Sequence, residues 1–241
     1  MLKKEYILIL ILLIAITGLS AAIVSELSHP QNNNISIITH EIISNDTAND
    51  KGSVEVIKNI GNPNSKKIAY VVGVHPLENE THTTLLKILP RMDNLNYAYD
   101  IYIINVTEDI GHYGDGSSDN SPGRQNGQNL ALKYVYPQIR DGGYELAVDV
   151  HSNVGAYPYK TFVFSPVSDS LGEEYAQKTA DNSQNISYYL PESTTSGPYL
   201  TVPLNENGVP AFYYEEYSFA TQSEKDIHML ELINSIDNLD I

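Results

Sequence analysis

The 241-residue chain has no cysteine. That excludes disulfides, thiolate metal ligands and a cysteine nucleophile. Tryptophan is also absent, and aromatic character rests on 18 tyrosines against four phenylalanines. Positive charge is scarce: 14 Lys and Arg stand against 30 Asp and Glu, a net charge of −16. So acidic a chain lacks the basic patches that nucleic acid requires, and no nucleic-acid partner is expected. No Gly-X-Ser-X-Gly elbow and no phosphate-binding Gly-Lys-Ser/Thr loop is present. Their absence argues against a serine hydrolase and against a nucleotide-binding protein. No internal repeat is visible.

What is present reads as one globular domain behind a leader. Hydrophobic residues make up 41% and charged residues 18%, a balance that supports a packed core. Lys3 and Lys4 precede an apolar run from Tyr6 to Val24. Residues 1–24 are therefore expected to be a signal peptide or N-terminal membrane anchor. The remainder would then face outward, by the positive-inside rule. The expected localisation is extracytoplasmic, secreted or membrane-anchored. Residues 25–52 are rich in Asn, Ser, Thr and Asp and read as a polar tether, with one strand at Ile35–Ile43. Asn-X-Ser/Thr sequons at Asn34, Asn45, Asn79, Asn105 and Asn185 are possible glycan acceptors on an exported chain.

The globular part is expected over 53–241. Strands read at Val54–Ile60, Lys67–Val74, Tyr99–Val106, Tyr144–Val150, Thr161–Phe164 and Val209–Tyr217. The first two look like a hairpin around Gly61-Asn-Pro-Asn-Ser. Helices read at Glu80–Leu89, Asn129–Arg140, Ser168–Asn182 and Ser223–Ile236, the last with Ile227, Leu230 and Ile233 inward. Loops read at Gly111–Gly127 and Pro191–Gly208. Strands alternating with helices predict an α/β fold with helices on both faces of a mixed, largely parallel central sheet.

Two apolar strands end in histidine. Ile68–Val74 runs into His75-Pro-Leu-Glu78, and Tyr144–Val150 runs into His151. Open α/β sheets place ligands at such C-terminal strand ends. Two imidazoles and a carboxylate are a competent set for Zn²⁺, with a position left for water. The same set admits Mn²⁺ or Fe²⁺. Asp149, two residues before His151, shares its strand face and is placed to orient an imidazole. His82 and His112 read as ordinary surface or core histidines, and His228 as structural.

These segments resemble the zinc carboxypeptidase superfamily, most of all the succinylglutamate desuccinylase/aspartoacylase branch. The resemblance lies in Gly73-Val-His75-Pro-Leu-Glu78, in Asp149-Val-His151, and in Gly208-Val-Pro-Ala-Phe-Tyr-Tyr-Glu215. It spans most of Ser53–Ile236. It implies a single zinc-carboxypeptidase-like catalytic domain, with Zn²⁺ held by His75, Glu78 and His151. It implies Glu215 as the base that activates metal-bound water and then protonates the leaving amine. Glu216 is the rival, because strand alternation points the two to opposite faces. It implies Arg124 as the anchor for a substrate carboxylate, assisted by Asn126 or Asn129, with Tyr199 near the substrate. Pro76 stands where the deacylase branch usually has glycine, and that branch's second substrate arginine has no clear counterpart.

The implied function is an exported zinc metallohydrolase, of metallocarboxypeptidase or deacylase type. It would cleave an amide bond beside a free carboxylate in a small peptide or acyl-amino-acid. The competing expectation is a non-catalytic cell-surface binding module that retains the fold.

Overall fold

A computed structural model describes residues 37–108 and 122–241, all within one compact unit, Ser36–Ile241. The Tyr6–Val24 run, Asn34, His112 and the 111–121 part of the expected loop lie outside the described residues. Among the described residues no helix is long and apolar enough to cross a membrane.

Eight strands form one sheet: β1 (Thr39–Ser44), β2 (Gly52–Gly61), β3 (Lys67–Val72), β4 (Ala98–Val106), β5 (Tyr144–Asn153), β6 (Phe162–Phe164), β7 (Ser187–Tyr188) and β8 (Ala211–Tyr217). Their order is β1-β2-β4-β3-β5-β8-β6-β7. The central run β4-β3-β5-β8 is parallel. Antiparallel pairs join β1 to β2, β2 to β4 and β6 to β8. The fold is α/β with a mixed, largely parallel sheet, as the alternation of elements predicts. The strand expected near 35–43 is β1, and it pairs into the sheet, which thus begins ahead of Ser53.

The expected β2–β3 hairpin does not form. β4 lies between the two strands, antiparallel to β2 and parallel to β3. The turn after Gly61 steps over the start of β4, where Asn62 N–H donates to Tyr97 O and Ala98 N–H donates to Lys66 O. A continuously apolar strand such as β3 is buried on both faces and takes a central place.

Helices cover both faces. On one, α1 (Asn79–Ile88), α4 (Leu171–Asp181) and α6 (Gln222–Asp237) pack Leu85, Ala176, Leu232 and Ile233 against Tyr70, Val148 and Phe212. On the other, α2 (Pro122–Leu130), a π-helical turn (Ala131–Val135), α3 (Tyr136–Asp141) and α5 (Thr201–Glu206) pack Leu130, Val135, Ile139 and Leu204 against Ala69, Val71, Ala147 and Ala211. The π turn widens the backbone just ahead of Pro137, which cannot donate to the preceding turn.

Two helix readings need correction. α2 starts at Pro122, within what reads as loop, because Gly123 and Gly127 look like breakers. Gly127 serves close packing instead: a Cβ there would stand 2.1 Å from Val74 O. On α6 the buried face is Met229, Leu232, Ile233 and Ile236, while Ile227 and Leu230 are exposed.

Candidate metal centre

The site is built where β3 and β5 end. After β3, Gly73 takes φ +90°, and a Cβ there would meet Ile104 O at 1.9 Å. Only glycine lets the chain turn this close to β4. Pro76 then opens a single 3₁₀ turn, Pro76–Glu78, closed by Glu78 N–H to His75 O at 3.1 Å. The turn folds Glu78 back beside His75, with Oε1 2.9 Å from Nδ1. From β5, His151 presents Nδ1 at 2.9 Å from Glu78 Oε2 and 2.9 Å from His75 Nδ1. Ser152 N–H donates to the same Oε2 at 3.0 Å. His75, Glu78 and His151 are all buried, and their ligand atoms lie within 4.8 Å of one another.

The donor chemistry fits a cation. Two imidazole Nδ1 atoms facing each other need a proton or a metal between them. Tetrahedral bonds of about 2.0–2.1 Å separate donors by about 3.4 Å, so the group needs to open by only a few tenths of an ångström. Each ring is backed on its other nitrogen. Asp149 Oδ1 lies 3.0 Å from His151 Nε2. Gln128 Nε2 lies 3.3 Å from His75 Nε2. The carboxylate beside His151 Nε2 leaves that ring's Nδ1 lone pair for a metal.

The electrostatics follow from burial and mutual charge. Burial opposes ionisation of Glu78, but His75 and His151 outweigh it and hold its carboxyl well below the usual range. Burial, only partly offset by Glu78, brings His75 down to about 4. Burial also works against charge on His151, yet Asp149 and Glu78 together raise it well above an ordinary imidazole.

Strand register brings the two consecutive glutamates to opposite fates. His151 pairs with Glu215 and Asp149 with Tyr213 across β5–β8. Phe162 and Phe164 of β6 stand opposite Glu215 and Tyr213. Glu215 thus shares the face of the metal group, and its Oε2 is buried with no hydrogen-bond partner. Burial raises its pKa to about 8, with His151 opposing. Glu216 faces α6, where it accepts from Tyr214 OH at 2.5 Å and Thr161 Oγ1 at 3.1 Å and lies 3.1 Å from His228 Nδ1.

Beside the group lies a cleft of about 290 Å³, bounded by His75, Arg124, Tyr157, Phe164, Tyr213, Glu215 and the 193–196 segment. Arg124 reaches it from α2, with Nη1 3.6 Å from Glu78 Oε1 and Nη2 donating to Thr195 Oγ1 at 3.0 Å. Asn126 is not beside it. Two residues along the helix from Arg124, it lines a separate cleft with Asn49, Asp50, Asn129 and Lys133. Gln128, one helical turn from Arg124, is the residue that reaches the site. The i, i+4 spacing is the signal that finds it. Tyr199 sits in a 3₁₀ turn with its hydroxyl 3.4 Å from Gln125 Oε1, and Tyr157 lines the cleft instead. His82 is a buried brace: its Nε2 lies 3.0 Å from Val150 O, tying α1 to the end of β5.

No family model and no curated protein matches the chain by sequence. Solved structures match in fold. A candidate carboxypeptidase A from Shewanella denitrificans OS-217 superposes with a TM-score of 0.52 at 14% identity, covering 89% of this chain and 66% of its own. A candidate carboxypeptidase from Burkholderia mallei gives 0.52 at 12%, covering 83% and 62%. Tripeptide-bound cell shape determinant Csd4 from Helicobacter pylori gives 0.52 at 10%, covering 83% and 54%. The chain spans between about half and two thirds of the length of these neighbours. It has the zinc-carboxypeptidase-like fold that its strand-end motifs imply.

Proposed function

We propose that the protein is a metal-dependent hydrolase that cleaves an amide bond beside a free carboxylate. The observation that carries this is the juxtaposition of His75, Glu78 and His151 around one point with Glu215, whose carboxylate oxygen has no partner, on the same face of the sheet. Zn²⁺ held by the first three would supply Lewis acidity toward a carbonyl oxygen and toward water.

The chain's own groups supply the rest. Glu215 takes a proton from the attacking water as oxygen bonds to the carbonyl carbon. It returns that proton to the amide nitrogen as the C–N bond breaks. Burial raises its pKa, the direction that suits a group that must both take and give a proton. Arg124 offers a planar fork to the substrate carboxylate. Thr195, already on that guanidinium, narrows where the carboxylate sits. Asp149 holds His151 in the tautomer that turns its Nδ1 lone pair inward, and Gln128 stands against Nε2 of His75. The tripeptide held by the Helicobacter pylori neighbour supports a small peptide over a larger polymer.

Purified protein incubated with zinc and an N-acyl dipeptide should release the C-terminal amino acid. Chelator should stop the release, and Glu215→Gln should lower kcat by about 10²–10⁴. Turnover unchanged in Glu215→Gln would refute the mechanism. Export belongs to the same proposal and rests on the Lys3/Lys4 and Tyr6–Val24 pattern. Degradation of the domain by protease added to intact cells tests it, and full protection counts against it.

A further inference from the structure

Lys225, near the start of α6, is the one buried lysine among the described residues, at 2% exposure. Lysine is almost never fully buried without partners. Its Nζ has two: the Glu80 carboxylate, and the backbone oxygen of Ser218 at 2.8 Å. Each leads to the metal group. Glu80 stands two residues past Glu78, at the start of α1. Ser218 stands three residues past Glu215, and its N–H donates at 2.8 Å to the backbone oxygen of Asn153, two residues past His151. Glu80 and Ser218 also line a cavity of about 150 Å³ whose other walls include Glu78, Ser152 and Phe219. One side chain thus ties the turn that bears Glu78 to the strand ends that bear His151 and Glu215.

Docking α6 against α1 does not call for that charge. Two other contacts run along the seam, Gln222 Nε2 to Thr84 Oγ1 at 3.0 Å and Lys87 Nζ to Asp226 Oδ2 at 3.3 Å. An apolar side chain in place of Lys225 would pack the same seam without desolvating an ion. What it would lack is directed donors: an ammonium carries three, at the end of a stem that packs as hydrocarbon. The Ser218 oxygen, moreover, belongs to neither helix. That bond holds the end of β8, not the helix pair. We infer that Lys225 is a positioning residue for the metal centre. By holding Glu80 and Ser218 to one point, it sets where Glu78 stands relative to His151 and Glu215. The inference rests on the metal reading of His75, Glu78 and His151.

The test is Lys225→Met in the full chain, which keeps the stem and removes the donors. Zinc affinity is read by competition with a zinc-responsive dye, at a temperature where the variant is folded. It should fall about tenfold, the effect of losing a group that orients a ligand. Lys87→Ala breaks the exposed pair on the same seam and should leave zinc affinity unchanged. A folded Lys225→Met that loses stability yet binds zinc like the wild type would overturn the inference, because Lys225 would then only dock the helices. Lys87→Ala lowering affinity as much as Lys225→Met would overturn it too. Should Lys225→Met not fold, Glu80→Ala, at an exposed side chain, carries the test: a smaller loss of affinity supports the inference and no loss overturns it. Wild-type protein that binds no zinc would refute the metal reading instead. Hydrogen exchange on the metal-free protein then decides about Lys225. The same variant should speed exchange about tenfold in segments 75–81 and 151–155 while the far end of α6 is unmoved. Exchange unchanged in those segments, or raised equally throughout, would overturn the inference.

Discussion

Glu215 and Glu216 are neighbours on one strand, yet the sheet treats them oppositely. Glu216 is buried against α6 and meets a full complement: two hydroxyls, its neighbour's backbone N–H and His228. Glu215, on the other face, keeps a buried oxygen with no partner beside a group of metal-ligating side chains. A buried carboxylate that is fully satisfied contributes to the fold. One left unsatisfied at a cleft is tolerated for what it does there. The pair therefore separates structural acidity from chemical acidity within a single dipeptide.

The sharpest way to break that contrast is to remove each carboxylate in turn. Glu215→Gln should abolish most turnover, as above, while thermal stability at neutral pH stays level or rises, because a buried, unpaired carboxylate is gone. Glu216→Ala should do the reverse. It strands Tyr214 OH, Thr161 Oγ1 and His228, and should cost about 3 kcal/mol of stability, read from denaturant unfolding. Equal loss of stability in both variants would erase the distinction.

The histidines sharpen it next. His82 is buried and its pKa is brought down to about 4, chiefly by burial. A folded pKa below the unfolded value of about 6.5 means the unfolded chain binds the proton more readily. Its contribution is thus complete above about pH 6.5 and lost as pH falls toward 4, on the order of 3 kcal/mol. His82→Leu should flatten that acid limb in urea titrations at stepped pH. His228 has the opposite sign. The Glu216 carboxylate raises it, so its contribution is present below about pH 6.5 and fades as pH rises through its folded pKa. Glu216→Gln should remove that smaller alkaline dependence and leave the His82 limb intact.

The Asp149 contact should give a further, graded effect. Asp149→Asn keeps the shape but weakens the brace on His151, and should lower metal affinity about 10–100-fold. Competition with a zinc-responsive dye measures it.

Much of the architecture was legible because β3 and β5 are long apolar runs, each ending in a histidine. Such runs have few readings, and their ends mark the cleft of an α/β sheet. Glu78 was legible through its spacing from His75. Other features were hidden by residues that serve packing while resembling punctuation. Gly123 and Gly127 read as loop, yet Gly127 is what lets α2 lie against Val74. Arg124 and Asn126, both read in that loop, lie on the helix instead, where Asn126 turns to another cleft and Gln128 comes to the site. The β2–β3 connection looked like a hairpin because turn chemistry is local, while the insertion of β4 between the strands is not. The face of α6 was misread because Ile227 and Leu230 share helical spacing with Ile233 but lie on its rim. Strand parity predicted that only one of Glu215 and Glu216 faces the cleft, and register across β5 identifies Glu215 as that one.

Metal content by elemental analysis tests the central claim most directly. Protein purified without chelator and dialysed against zinc should hold one zinc per chain. His75→Ala and His151→Ala should lose it, and Glu215→Gln should keep it, since Glu215 stands beside the ligand group without belonging to it. Zinc absent from the wild-type protein, or retained undiminished in both histidine variants, would contradict the account.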